Sequence, residues 1–161
     1  MDYTIRPYQD SDAEKLAELC LAAIRAIGPG AYTNEQVEAW TARHPGAALY
    51  RERIAEGAAI MVAADESDDP VAYALLEPDG HLDHLYNHPR HTRRGLAANL
   101  LQTVALYARH HGIERLYTEA SDLARPAFEE AGFTATEKRE FLIDGVLIHN
   151  WAMVKPIAPA T

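Results

Sequence analysis

Two side chains of the segment His81–Asn87 have the chemistry to move a proton. A histidine such as His81 has an ordinary pKa near about 6.5, so its ring can accept a proton at neutral pH. Asp83 offers a carboxylate that can hold a cationic amine. The segment is typical of a β-strand, in which alternate residues share a face, so we predict one face for His81, Asp83 and Leu85. The alternative is that both polar side chains are simply solvated on a half-exposed strand.

Residues 92–98 form a second candidate site, because a strand ends there and a helix begins. The first turn of a helix carries free N–H groups and a positive end of the macrodipole, which together attract an anion. Gly95 and Ala97 are small, so the backbone can approach a phosphate closely. Arg93 and Arg94 add positive charge. The alternative is an ordinary helix start with exposed arginines.

Four histidines, at positions 81, 84, 88 and 91, raise the question of a metal site. A metal would need several of them to converge together with a carboxylate. His84 and His88 have a spacing that suits two ligands on a helix. The segment reads instead as a strand followed by a turn, and Pro89 opposes a helix. We therefore expect no metal.

These candidate residues must be positioned by an α/β arrangement of short elements. The periodicities predict a strand at residues 3–8, helices near residues 13–27, 34–44 and 47–56, three strands joined by short turns within residues 57–88, a long helix at 95–111, a strand from 113, a short helix at 122–131 and a closing hairpin with its turn at 143–145. The three consecutive strands should form an antiparallel meander. A strand after the long helix implies a parallel crossover, which makes the sheet mixed.

Composition limits the class of protein. The 161 residues suit one domain. A net charge of −9 argues against a nucleic-acid partner, since phosphate contacts need a basic face. We find no apolar run long enough for a membrane span and no apolar segment of a secretion signal near the start. The single cysteine, Cys20, cannot form an internal disulfide. We therefore expect a cytoplasmic protein without a membrane or nucleic-acid partner.

Several segments resemble one known family. Residues 92–97 read Thr-Arg-Arg-Gly-Leu-Ala, which is similar to the Gln/Arg-x-x-Gly-x-Gly/Ala acetyl-CoA motif of the GNAT N-acetyltransferase superfamily, although Thr92 departs from its first position. Residues 120–133, ending in Gly-Phe, resemble that superfamily's strand 5 and helix 4. The opening Ile5-Arg6-Pro7 and the closing Met153-Val154-Lys155 also fit. The resemblance covers residues 3–156, and it extends to a subgroup of small bacterial acetyltransferases.

The resemblance implies a fold and a reaction. The fold would be a single α/β domain over residues 3–156. Its mixed, mostly antiparallel sheet would have about seven strands, flanked by helices and splayed between strands 4 and 5. The protein would transfer an acetyl group from acetyl-CoA to a primary amine of a small molecule or peptide by direct attack of the amine. Expected cofactor contacts are Leu85, Tyr86 and Asn87 for the pantetheine arm; Thr92, Arg93, Arg94, Gly95, Leu96, Ala97 and Ala98 for the pyrophosphate; and Ser121 and Phe128 near the thioester.

The resemblance also suggests the roles of single residues. His81 and Asp83 occupy positions where relatives often carry the base, and Ser121 stands where many have an asparagine. Phe128 replaces a tyrosine that often protonates the departing thiolate. Ser121, Tyr117 or a water could therefore serve as the acid, or the thiolate could leave unprotonated. Ser121 is alternatively a helix cap.

The acceptor amine would meet the helical segment near residues 32–40. Tyr32 and Trp40 would line its pocket, and core packing is the alternative for Trp40. The resemblance is compatible with a homodimer. A non-catalytic module that binds acyl-CoA on the same fold is the alternative function.

Overall fold

The computed structural model describes residues 2–159. Its strands are β1 (Thr4–Pro7), β2 (Ala59–Ala64), β3 (Pro70–Leu76), β4 (Leu82–Asn87), β5 (Arg115–Ala120), β6 (Thr134–Ile143) and β7 (Val146–Pro156). Its helices are α1 (Ala13–Ala31), α2 (Asn34–Ala42), α3 (Ala48–Ala55), α4 (Leu96–His110) and α5 (Arg125–Glu130). Short 3₁₀ turns at Asp10–Asp12 and Pro89–His91 precede α1 and α4.

The strands form two sheets that diverge from each other. One sheet has the order β1-β2-β3-β4 and the other the order β5-β7-β6, and all neighbouring strands are antiparallel. A parallel bridge between His81 and Tyr117 joins the sheets just before β4 begins. Beyond it, no backbone hydrogen bond connects β4 with β5 in the described residues. The predicted α/β class and the splay between strands 4 and 5 are confirmed.

Each face of the first sheet packs against helices. On one face the apolar side of α4, including Leu100 and Val104, packs on β-strand residues such as Leu76. On the other face, α1 and α3 bury Leu16 and Tyr50 against the sheet. Burying a large apolar side chain contributes roughly 1.5–3 kcal/mol, so these two layers hold the strands that carry the site.

A β-bulge interrupts β4 at Asp83. Leu75 of β3 pairs with His84, but the next residue, Leu76, pairs with Leu82, so Asp83 is the extra residue. A bulge breaks the strict alternation of faces along a strand. As a result, Leu82 and Leu85 both pack toward α4, although their spacing of three would place them on opposite faces of a regular strand.

Candidate active site

The start of α4 presents an open, electropositive end. Gly95 caps the helix with φ 76°, and Arg93 before it has φ 61°, both in the left-handed region. A side chain is rarely tolerated at such φ values, and glycine suits the cap. The N–H group of Asn99 bonds the carbonyl of Gly95, whereas those of residues 93–98 have no acceptor among the described residues. This arrangement can bind an anion such as a phosphate.

A groove of about 1030 Å³ adjoins this helix end. The expected pyrophosphate residues Arg93, Gly95, Leu96, Ala97 and Ala98 line it, together with parts of α5 and the end of β7. A Cβ atom on Gly95 would meet nothing within 4 Å, so the space in front of the helix is free. Thr92 and Arg94 are exposed but do not line the groove. Arg93, Arg109 and Lys155 are its cationic side chains.

The expected pantetheine residues follow along β4 toward this groove. The Leu85 side chain packs into the core below α4, and Tyr86 packs on the opposite face. Asn87 lines the groove, and its buried Oδ1 has no hydrogen-bond donor in the described residues. Since β5 has moved away, the peptide groups on the outer edge of β4 are open to an extended ligand. Such a ligand can bond to them as a neighbouring strand would.

His81 lies between two carboxylates. Its Nδ1 is 2.7 Å from Glu77 Oε1, its Nε2 is 2.7 Å from Glu119 Oε1, and the ring stacks on Tyr117. Burial opposes the charge of the ring, but the hydrogen bonds to Glu119 and Glu77 outweigh burial and raise the pKa of His81 to about 9. An imidazolium with both N–H groups engaged cannot accept a proton. The expectation that His81 is the base does not fit this arrangement.

Asp83 faces Arg53 of α3 and therefore does not share a face with Leu85. The guanidinium of Arg53 donates to Asp83 at 2.6 Å and lies 3.5 Å from Glu77. Burial disfavours the carboxylate charge, but the neighbouring His84 and Arg53 outweigh burial and lower the pKa of Asp83. Asp83 is thus a carboxylate at neutral pH. The Asp83 side chain points away from the predicted face because of the bulge, which the alternation of residues in the sequence could not reveal.

Glu77, His81 and Asp83 present possible metal ligands within 4.8 Å of one another. The Arg53 guanidinium already contacts both carboxylates, and the His81 ring donates to Glu77. A cation would have to displace these partners. We interpret the cluster as an ion-pair network.

A hydrogen-bonded chain of aromatic side chains lies beneath the site. It runs from His44 Nε2 to Tyr50 Oη at 3.1 Å, to Tyr73 Oη at 2.7 Å and to His84 Nδ1 at 2.6 Å. The N–H group of Gly46 donates to His44 Nδ1 at 2.9 Å, so in a neutral ring Nε2 carries the hydrogen and donates to Tyr50. Burial lowers the pKa of His84 to about 4, so this ring is neutral at pH 7.

This aromatic chain was not predicted from the sequence. Its members come from separate elements, and the sequence pattern raised His84 only as a possible metal ligand. The structure shows instead that the His84 ring is bonded to Tyr73, while His88 accepts from the Arg90 N–H group near the surface. The available signal was that His84 and Tyr86 flank Leu85, so a regular strand places both on the face opposite this core leucine.

A second cavity of about 220 Å³ lies where the sheets diverge. Its walls are aromatic and apolar with an acidic side, and they comprise Tyr32, Trp40, Asp83, His84, Tyr86, Glu119, Ser121, Phe141, Ile143, Ile148, His149 and Asn150. Tyr32 and Trp40, expected at the acceptor, both line it, with their rings edge to face at 5.9 Å. A smaller cavity of about 110 Å³ shares Tyr32, Trp40, Tyr86 and Ser121 and reaches Leu85.

Hydrogen bonds hold the walls of this cavity together. Tyr32 Oη donates to the carbonyl of His149 and accepts from the N–H group of Asp122, both at 3.2 Å. The Asp122 carboxylate accepts from Trp151 Nε1 and pairs with His149 Nε2, each at 2.7 Å. These contacts join the α1–α2 connection, β7 and the start of α5. His149, Asn150 and Glu119 were not predicted, because β5 and β7 are far from β4 in sequence.

Ser121 and Phe128 have different positions relative to the cavities. Ser121 Oγ accepts from the Ala124 N–H group at 3.2 Å in the turn before α5, whose N-cap is Ala124, and Ser121 also lines both smaller cavities. Phe128 is only 3% exposed and packs edge to face on Phe133 in the core below α4. The expected cofactor contact of Phe128 is therefore corrected, because its ring is enclosed by core side chains.

Comparison with known proteins agrees with this architecture. Residues 30–155 match the family model of an acetyltransferase (GNAT) domain. Because the match spans most of the chain, this protein belongs to the GNAT acetyltransferase family. It is accordingly an N-acetyltransferase by family, with the fold that the sequence predicted.

Particular relatives show how far the similarity extends. The uncharacterized N-acetyltransferase YafP of Escherichia coli (strain K12) is 26% identical over 149 residues, which cover 92% of this chain and 93% of that protein. A GCN5-related N-acetyltransferase structure from Rhodopseudomonas palustris, described as aminotransferase, class-II, is 29% identical with a TM-score of 0.87, covering 97% and 96% of the two chains. The PaiA N-acetyltransferase of Thermoplasma acidophilum, solved with coenzyme A, is 17% identical with a TM-score of 0.80, covering 97% and 99%.

Across residues 2–159, no helix combines the length and the apolar character needed to cross a bilayer.

Proposed function

We propose that this protein is a single-domain enzyme over residues 3–156 that transfers an acetyl group from acetyl-CoA to a primary amine of a small molecule or peptide. One observation carries the proposal: the open N-terminus of α4 faces a groove of about 1030 Å³ that reaches Asn87, and the second cavity begins at the adjacent Tyr86. A long ligand fits this arrangement if its phosphate groups bind at the start of α4 and its reactive group reaches the second cavity.

The residues present suit coenzyme A. The unpaired N–H groups at the start of α4 would hold the pyrophosphate, with Arg93 beside them. The open edge of β4 at residues 85–87 would bind the pantetheine arm. The free space at the Gly95 cap and the unpaired Oδ1 of Asn87 support this fit. The coenzyme A complex of the PaiA structure supports the choice of ligand.

Acetyl transfer needs a neutral amine. An ammonium substrate first loses one proton. The nitrogen lone pair then attacks the thioester carbonyl carbon, a C–N bond forms, the C–S bond breaks with its electron pair on sulfur, and the nitrogen loses a second proton, which goes to that sulfur directly or through water. Asp83, which remains ionised, would hold the incoming ammonium group at the cavity. The carboxylate is already engaged by the Arg53 guanidinium at 2.6 Å and would also pair with the ammonium group, so a second group must take the proton.

His84 is the proton acceptor in this proposal. It lines the cavity beside Asp83 and is neutral, unlike His81. When His84 Nδ1 carries the hydrogen and donates to Tyr73, Tyr73 donates to Tyr50, which in turn donates to the carbonyl of Leu16 at 3.2 Å. Every member is then satisfied, and His84 Nε2 has a free lone pair.

His84 Nε2 takes the first proton, and the departing sulfur takes the second proton from the nitrogen directly or through water. With Phe128 in the core, the reaction then needs no tyrosine at that position. Ser121 is half-exposed and lines both smaller cavities, which supports its proposed position near the thioester.

The test is release of free CoA thiol from acetyl-CoA in the presence of primary amines, with mass-spectrometric detection of the N-acetyl product. We expect amine-dependent release that saturates with both substrates. A protein that binds CoA tightly yet transfers no acetyl group to any small, peptide or protein amine would instead be the binding module considered as the alternative.

A further inference from the structure

The walls of the 220 Å³ cavity restrict the chemistry of the acceptor. We propose that the acceptor is a compact primary amine with an aromatic or branched apolar body and no carboxylate. This inference rests on the proposed function and concerns the acceptor class of the same site.

Charge is the first argument. Asp83 and Glu119 line the cavity, and no lysine or arginine is among its lining residues in the described chain. In the surrounding cluster, the carboxylates of Glu77, Asp83 and Glu119 face two cations, Arg53 and protonated His81, which leaves one negative charge in excess. An ammonium group is attracted to this wall. A carboxylate on the same ligand would be repelled without a compensating partner.

An unpaired polar atom is the second argument. Asn150 lines the cavity, and its buried Oδ1 has no donor partner in the described residues. An unsatisfied buried acceptor costs about 1–3 kcal/mol. A small rotation of this amide toward an ammonium N–H group would relieve that cost. A ligand carboxylate offers only acceptors and cannot do so.

The body of the ligand is the third argument. Tyr32, Trp40 and Tyr86 line the cavity together with Phe141 and Ile148 of the β6–β7 hairpin. These surfaces suit an aromatic or branched aliphatic group, and aromatic faces also attract a cation. The volume equals roughly seven water molecules at about 30 Å³ each, which suits a compact body.

Matched pairs of amines test the class. Each pair consists of an amine and the amino acid with the same skeleton: 2-phenylethylamine with phenylalanine, tyramine with tyrosine, and isopentylamine with leucine. We expect kcat/KM for the amine to exceed that of its amino acid by about tenfold or more. Phenylalanine amide, which lacks the negative charge at similar size, should recover much of the loss.

The Glu119→Gln variant provides an internal check. Because this variant removes one negative charge from the cavity wall, the ratio of kcat/KM for 2-phenylethylamine to kcat/KM for phenylalanine should become smaller. Thermal stabilisation by CoA shows that the variant is folded and binds its co-substrate. An unchanged kcat/KM ratio in this folded variant contradicts the charge argument. The Asp83→Asn variant repeats the same test at the other carboxylate that lines the cavity.

The remaining outcomes separate the two proposals. Equal or faster acetylation of the amino acids, of peptide N-termini or of protein lysines overturns the acceptor class and leaves the acetyltransferase proposal standing. Absence of transfer to every amine in all these series overturns the proposed function itself.

Discussion

Asp83 occupies the bulge of β4, where its side chain reaches both Arg53 and the cavity. Replacing this aspartate with asparagine keeps the shape but removes the charge that would hold an ammonium group. We expect Asp83→Asn to lower kcat/KM for the amine by about tenfold or more, because hydrogen bonds to charged groups contribute roughly 1.5–3 kcal/mol. The affinity for CoA should be nearly unchanged.

A matched control is Glu18→Gln, which makes the same change on the exposed face of α1 and should have no effect on either quantity. Steady-state kinetics over about pH 6 to 9 and calorimetric CoA titration provide the measurements. Wild-type kcat/KM in Asp83→Asn across this range would show that the carboxylate lies outside the reaction.

Phe128 occupies the position of a frequent proton donor in relatives, but its ring is buried against Phe133. The hydroxyl of Phe128→Tyr would be buried without a partner, so we expect a loss of about 1–3 kcal/mol in the free energy of unfolding and no gain in kcat. Urea denaturation measures the first quantity. Phe141→Tyr is the control, since that ring is half-exposed and its hydroxyl can reach water. Higher kcat with unchanged stability in Phe128→Tyr would place a proton donor there after all.

At the scale of elements, the two ends of α4 are each flanked by a glycine with a positive φ angle. Gly95 at its start has φ 76° and Gly112 just after its end has φ 70°, and a Cβ atom on either would meet nothing within 4 Å. A glutamate at either position costs about 1–2 kcal/mol of backbone strain. Only Gly95→Glu also places a negative charge at the anion site.

We therefore expect Gly95→Glu to abolish CoA binding, whereas Gly112→Glu loses similar stability and still binds. Isothermal titration with CoA and thermal melts of both variants make the comparison. Normal binding by Gly95→Glu would locate the pyrophosphate elsewhere.

The bridge between the two sheets contains a titrating group. The pKa of His81 rises from 6.5 to about 9 in the folded protein, because hydrogen bonds to Glu119 and Glu77 outweigh the burial that opposes its charge. A raised folded-state pKa means that the stabilisation is complete below about pH 6.5 and is lost as the pH rises through about 9.

We expect wild-type stability to fall across this window more steeply than that of His81→Gln, whose side chain does not titrate. Urea unfolding at a series of pH values gives the difference between the two proteins. Parallel curves for the two proteins would mean that His81 gains no charge-dependent stability from its carboxylates.

At the scale of the whole molecule, a ligand bound along β4 would connect the two sheets that the His81–Tyr117 bridge joins at one end. A ligand that binds only the folded state stabilises it by about 2.7 kcal/mol at a concentration one hundred times its Kd. We expect CoA to raise the Tm of the wild type and of Gly112→Glu. A melting curve that millimolar CoA leaves unchanged, in a folded preparation, would contradict the CoA site as a whole.

Much of this architecture follows from local patterns. The helix start at residues 92–98 and the order of the elements were predicted because caps, glycines and hydrophobic periodicity act over a few residues. The splay after β4 was expected from the resemblance to the GNAT superfamily. The same resemblance placed Tyr32 and Trp40 on the acceptor side, and both line the 220 Å³ cavity. Their roles in binding the acceptor remain predictions.

Contacts between distant segments account for the rest. Arg53, which pairs with Asp83, and Glu119, which bonds His81, are 30 or more residues away in sequence. Phe128 is likewise enclosed in a core that α4 and distant strands build. The neutral state of His84 depends on burial beside Tyr73 and Tyr50, which belong to other elements. A residue type specifies which protons and charges are available. The low-dielectric packing around each group sets which of them are present at neutral pH.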